Sequence, residues 1–211
     1  MARRVGTASG ETIDMRAEDG VALKASWFPA PAAFPACVLI LHGVADSRAS
    51  SAGFAPLFLE SGYAVLAPDS RAHGESGGSL VTYGLLEKHD VILWTEWMRS
   101  KGCSKLYGLG ESLGGSILIQ AAAVKPAFTA LIAESAFADL RQVAKHRAAR
   151  MAPWLGVLAQ PAAAVVVGSG RVVARVEYGV DLGAVAPVRD IAALKIPMLL
   201  IHGLDDDQTP P

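Results

Sequence analysis

An α/β fold with a mostly parallel sheet is predicted by three observations. Short strand-like segments rich in apolar residues recur along the chain, helical or turn-rich segments separate them, and each pattern suggestive of chemistry follows one of the strands. Residues 37–41 (C-V-L-I-L), 63–67, 105–109, 128–133 and 197–201 read as five such strands. A strand covered on both faces needs no polar alternation, which is the pattern of a parallel sheet. Ligands of such a sheet bind beyond the carboxyl ends of its strands. His42-Gly43, Asp69, Ser112 and Asp206 all fall at such ends.

The remaining elements follow in order. Residues 11–16 and 21–28 predict two strands joined at Glu18-Asp19-Gly20, because Asp-Gly is a strong hairpin signal. Residues 51–61 predict a short helix closed by Gly62. Residues 83–100 predict the best helix of the chain, with Leu86, Leu93 and Trp97 at helical spacing and Gly102 as its stop. A small-residue helix is expected over 116–124, halted by Pro126, and a helix with a basic outer face over 138–150. Residues 151–170 carry no charge between Arg150 and Arg171, and Pro153, Gly156, Gln160 and Pro161 interrupt them. The expectation is a small cap or buried segment, part of a cap-like insertion over about 151–185, and no obligate membrane span. Residues 188–194 predict a last short helix.

The chain's 211 residues suit a single domain over 1–211, and a 52% apolar content excludes a disordered composition. A formal net charge of -1 gives no footprint for nucleic acid. Cys37 and Cys103 match no metal spacing and are read as free thiols of a reducing compartment. Met1-Ala2-Arg3-Arg4 is basic, but no apolar run follows it, so a secretory signal is not expected and the location is taken as cytoplasmic. No metal constellation and no phosphate-binding glycine loop is present, so no cofactor is expected.

Gly110-Glu111-Ser112-Leu113-Gly114 matches G-x-S-x-G. The chemistry of that motif is a sharp strand-to-helix turn that exposes the serine hydroxyl. The pentapeptide alone is weak. A plausible strand before it and a plausible helix after it carry the reading. In this architecture the loop after the first buried strand supplies one backbone N–H of an oxyanion hole, and the residue after the serine supplies the other. Those donors are Val44 and Leu113. His42 itself reads as a structural histidine. His202-Gly203-Leu204-Asp205-Asp206-Asp207 follows the last strand, where a carboxylate can orient a histidine base. Three adjacent aspartates leave that assignment open on chemistry alone.

These residues resemble the α/β-hydrolase superfamily, in the branch of serine hydrolases that includes lysophospholipases and serine aminopeptidases. The resemblance runs from about Asp14 onward. It rests on His42-Gly43, Gly62-Tyr63-Ala64-Val65, Asp69-Ser70-Arg71-Ala72-His73-Gly74-Glu75-Ser76, Gly110 to Gly115, and Ile201 to Pro210. It implies the α/β-hydrolase fold and an acyl-enzyme on Ser112. Aligned on His202, Gly203, Thr209 and Pro210, it implies Asp206 as the acid. The family usually has glycine where this chain has Ala72, and His73 in that loop reads as structural.

The triad order of the fold is serine, acid, histidine. His42, His73, His89, His146 and His202 all precede Asp206, and only five residues follow it. The expectation is therefore a chain truncated at its C-terminus, missing the last helix-strand-helix and its catalytic histidine, and impaired or inactive as it stands. The expected function is a serine hydrolase of carboxylic esters or small amides, with an apolar acyl group. A non-catalytic binding module on the same scaffold and an acyltransferase are the alternatives. Trp154, Leu155, Val157 and Leu158 are the expected acyl-pocket lining.

Overall fold

The computed structural model describes residues 10–30 and 36–210. The basic N-terminal residues Met1 to Arg4 lie outside the described residues. The elements run β1 (Glu11–Arg16), β2 (Ala22–Phe28), β3 (Ala36–Leu41), α1 (Arg48–Ser51), α2 (Ala55–Leu59), β4 (Ala64–Pro68) and α3 (Glu87–Ser100). They continue through β5 (Lys105–Glu111), α4 (Leu113–Val124), β6 (Ala130–Glu134), α5 (Leu140–Arg150), α6 (Ala159–Tyr178), α7 (Pro187–Asp190) and β7 (Met198–Ile201).

The strands form one seven-stranded sheet in the order β1-β2-β4-β3-β5-β6-β7. The pairs β1–β2 and β2–β4 are antiparallel, and every other pair is parallel. Alternate side chains of β3 serve two cores. Cys37, Leu39 and Leu41 join Trp94 and Met98 of α3 and Ile117 and Leu118 of α4 on one face. Val38 and Ile40 join Ala55 and Phe58 of α2 on the other. Helices therefore cover both faces, and a continuous apolar run is what a strand in that setting needs.

Several expectations are corrected. The helix expected over 83–100 begins only at Glu87. Tyr83 and Gly84 have φ of +56° and +111°, which no right-handed helix accepts. The helix expected over 51–61 is two short pieces, α1 and α2, joined by one tight turn. The fifth of the expected buried strands, β7, pairs among the described residues with β6 alone, and its Leu199, Leu200 and Ile201 are exposed rather than buried. The uncharged stretch is not buried either. Its residues 159–170 enter α6, a 20-residue helix packed on α5 with Ala163 as its single buried residue. Pro161 is tolerated because it sits in the first turn, where backbone N–H groups have no helical partner. Residues Pro153–Tyr178 are long and apolar enough, by length and composition alone, to cross a membrane.

Ala72 has φ of +59°, the left-handed region that glycine adopts without penalty. The alanine at the position where glycine is usual is thus held in a glycine's conformation.

The largest correction concerns the cysteines. Cys37 and Cys103 are bonded to each other across 66 residues of sequence, and both are buried. Parallel pairing of β3 with β5 sets Cys37 opposite Leu106, three residues after Cys103, and brings the two Cα atoms to 5.8 Å. No local sequence feature announces a pairing made by sheet register. Closing a loop of this size stabilises a fold by about 2–4 kcal/mol. Protein unfolded in guanidinium without reductant is predicted to yield no thiol to Ellman's reagent, and two after reduction. Two thiols before reduction would restore the free-thiol reading.

Candidate active site

Ser112 stands between the last residue of β5 and the first of α4 with φ +49° and ψ -109°. A non-glycine residue there is strained, and such strain persists only where its surroundings hold it. The holding contacts are backbone to backbone. A Cβ on Gly110 would come within 2.4 Å of Gly114 C and Gly115 N, and a Cβ on Gly114 within 2.4 Å of Leu41 O. Only glycine lets α4 start this close to β5 and to the end of β3. The Ser112 N–H donates to Glu134 O at 2.7 Å, which ties the bend to β6.

A cavity of about 70 Å³ opens at Ser112, and Val44 and Leu113 line it with the serine. Gly43 backs onto the bend, since a Cβ there would lie 3.6 Å from Ser112 Cβ. Three of the four expected site residues are thus brought together. The fourth, Asp206, is linked to the cavity through Thr209, which lines it and donates its hydroxyl to Asp206 Oδ2 at 2.8 Å. Asp206 Oδ1 accepts the N–H groups of Gln208 and Thr209, both at 2.9 Å. These hydrogen bonds, the Thr209 N–H foremost, hold its pKa down to about 2 against the opposing effect of burial. Asp206 is therefore ionised at any ordinary pH.

The histidines have other partners. His42 is buried; its Nε2 accepts the Ser70 N–H at 3.0 Å, so Nδ1 carries the proton and donates to Gly43 O at 2.7 Å. Burial holds its pKa below the ordinary histidine value, so the ring stays neutral. It braces the loop that carries Val44. His73 Nδ1 lies 3.0 Å from Arg71 O, and His146 Nε2 lies 2.9 Å from Asp207 O. His202 Nε2 is bonded to Thr209 O and also lies 3.5 Å from Asp206 Oδ2, so of the five histidines it is the one beside the expected acid. His89 lies in α3. No histidine among the described residues lines the Ser112 cavity. Among the described residues, no group of three or more His, Cys, Asp or Glu side chains is placed to hold a metal.

The residues expected to line an acyl pocket do not. Trp154, Val157 and Leu158 are 78%, 93% and 61% exposed, and Leu155 is likewise on the surface. Tyr83, Phe137, Leu140, Val143, Ala144 and Arg147 line the cavity instead. Sequence reasoning placed Tyr83 inside a helix and so hid it. The one available signal was Gly84, a breaker within the supposed helix.

The family model described as alpha/beta hydrolase fold matches residues 37–190. The chain belongs to the α/β-hydrolase fold family. The uncharacterized protein YqkD of Bacillus subtilis (strain 168) is 31% identical over 187 residues, which make up 86% of this chain and 58% of that protein. The chain thus spans less than two thirds of the length of this curated relative. Among solved structures, the esterase Pf2001 of Pyrococcus furiosus is similar with a TM-score of 0.75 at 23% identity, over 97% of this chain and 74% of the esterase. XC6422 of Xanthomonas campestris, described as an α/β serine hydrolase without lid, gives 0.54 at 23% identity over 62% of each chain. At these identities the structural likeness establishes the fold.

At neutral pH, Asp206→Ala is predicted to destabilise the chain by about 1–2 kcal/mol through loss of hydrogen bonds to a charged acceptor. A depressed carboxyl pKa contributes stability that is complete above the ordinary value of 3.8 and lost as pH falls through about 2. Urea titrations should therefore show the gap between parent and variant shrinking from pH 4 to pH 2. A gap constant over that range would contradict this account of Asp206.

Proposed function

We propose that this chain carries the nucleophile, acid and oxyanion donors of a serine hydrolase acting on carboxylic esters or small amides. The observation that carries the reading is the strained bend at Ser112, opening on a cavity shared with Val44 and Leu113. The Ser112 hydroxyl attacks the carbonyl carbon. The N–H groups of Val44 and Leu113 stabilise the resulting oxyanion, an arrangement worth a few kcal/mol per donor. The general base is a histidine outside these 211 residues, oriented by Asp206, because none of the five present lines the cavity. Collapse of the tetrahedral intermediate expels the alcohol or amine, and water then releases the acid. An acceptor alcohol in place of water would make the same acyl-enzyme a transferase.

A second reading, a non-catalytic binding module on the same scaffold, is favoured by the lack of a histidine at the cavity. Rate separates the two. A serine without its base is a poor nucleophile, but a positioned one keeps residual reactivity through the oxyanion hole. A fluorophosphonate probe is predicted to label the chain slowly at Ser112, faster with added imidazole as a substitute base, and not at all in Ser112→Ala. Labelling absent even with imidazole, or unchanged in Ser112→Ala, would favour the binding module.

A further inference from the structure

Two cavities adjoin at Tyr83. The first is the space of about 70 Å³ at Ser112; the second, about 240 Å³, lies against α6 and is walled by Val167 and Leu182 together with Arg141 and Arg171. Tyr83, Leu140 and Ala144 line both. Of the three, Tyr83 has the largest side chain and the least freedom. Its φ of +56° is enforced from both sides. Gln120 Nε2 donates to Tyr83 O at 2.9 Å. The buried Glu87 carboxylate accepts the Thr82 N–H at 2.6 Å, the Thr82 hydroxyl at 2.5 Å and the Gly84 N–H at 2.8 Å. A Cβ on Gly84 would fall 2.0 Å from Gln120 Nε2, so the turn admits no side chain there. The Tyr83 ring packs edge-on to Phe137, with centroids 6.4 Å apart. A backbone conformation this well held, at a shared wall of two cavities, is the kind of strain that marks a site feature.

Resting on the reading of Ser112 as a nucleophile, we propose that Tyr83 is a partition that sets acyl chain length. The small space at Ser112 receives a short acyl group, of about two to four carbons. The ring separates that space from the larger one against α6, where the alkyl continuation of a longer chain would lie along Leu140, Val167 and Leu182. Glu87 and Gln120 act through Tyr83, as positioning residues.

Removing the ring joins the two spaces. Tyr83→Gly is the preferred change, because glycine adopts φ of +56° without strain; Tyr83→Ala is the second variant. Each methylene newly buried raises affinity about fourfold. Calorimetric binding of octanoate and butyrate, made in a Ser112→Ala background, reads the partition without any reaction. The octanoate-to-butyrate affinity ratio is expected to rise at least tenfold in Tyr83→Gly and in Tyr83→Ala, and to keep its parent value in Tyr83→Phe. An unchanged ratio in the first two, or no octanoate binding in any form, overturns the proposal. With Ser112 intact and imidazole present, hydrolysis of p-nitrophenyl octanoate relative to butyrate should follow the same ratio. A ratio that rises in binding while neither ester is cleaved leaves the partition standing and rejects the hydrolase reading. Cleavage of both esters with an unaltered preference rejects the partition alone.

Discussion

The structure depends on one close approach of backbone to backbone. Helix α4 begins against the ends of β5 and β3 at distances that exclude any side chain at Gly110 or Gly114. That approach forces the sharp reversal at Ser112 and so decides where its hydroxyl stands. It also places the N-terminus of α4, with its free N–H groups and positive end of the dipole, beside the serine. Packing of Ile117 and Leu118 into the core beneath holds the helix down on the bend. The strain at Ser112 is thus maintained by apolar burial elsewhere in the same helix.

The loops around this bend are held by polar side chains at its rim. His42 braces the Val44 loop from β3 through Ser70 and Gly43. Glu87 and Gln120 fix the Tyr83 turn. Asp206 gathers the Thr209 turn beyond β7. Each is a side chain accepting or donating where a loop has left its own backbone groups without a partner, which is the condition for an ordered loop beside a cavity. The ionised state of Asp206 and the neutral state of His42 have different origins: hydrogen-bond donors hold the carboxyl charged, whereas burial holds the ring neutral against its bond to Gly43 O.

Strands β3 and β4 were legible because burial on both faces writes itself as an apolar run, and G-x-S-x-G was legible because the bend needs glycine at fixed offsets. What stayed hidden was made by distant partners. The bond between Cys37 and Cys103 follows from β3–β5 register. The start of α3 at Glu87 follows from hydrogen bonds that bend Tyr83 and Gly84 out of the helix despite its periodic leucines. Composition pointed to Trp154 and Leu158 for an apolar pocket, yet they are exposed, and the cavity wall comes from Phe137, Leu140 and Val143 near the start of α5. Val44, Ser112 and Leu113 line one cavity, since each sits within three residues of a strand end that the sheet aligns.

The account turns on the Ser112 hydroxyl facing the amides of Val44 and Leu113. A crystal structure of the chain soaked with a phenylboronic acid tests it most directly. The account predicts a covalent bond from Ser112 Oγ to boron, with one boronate oxygen within about 3 Å of both backbone nitrogens. Boron bonded elsewhere, or bonded to Ser112 with its oxygens turned away from both amides, would contradict it.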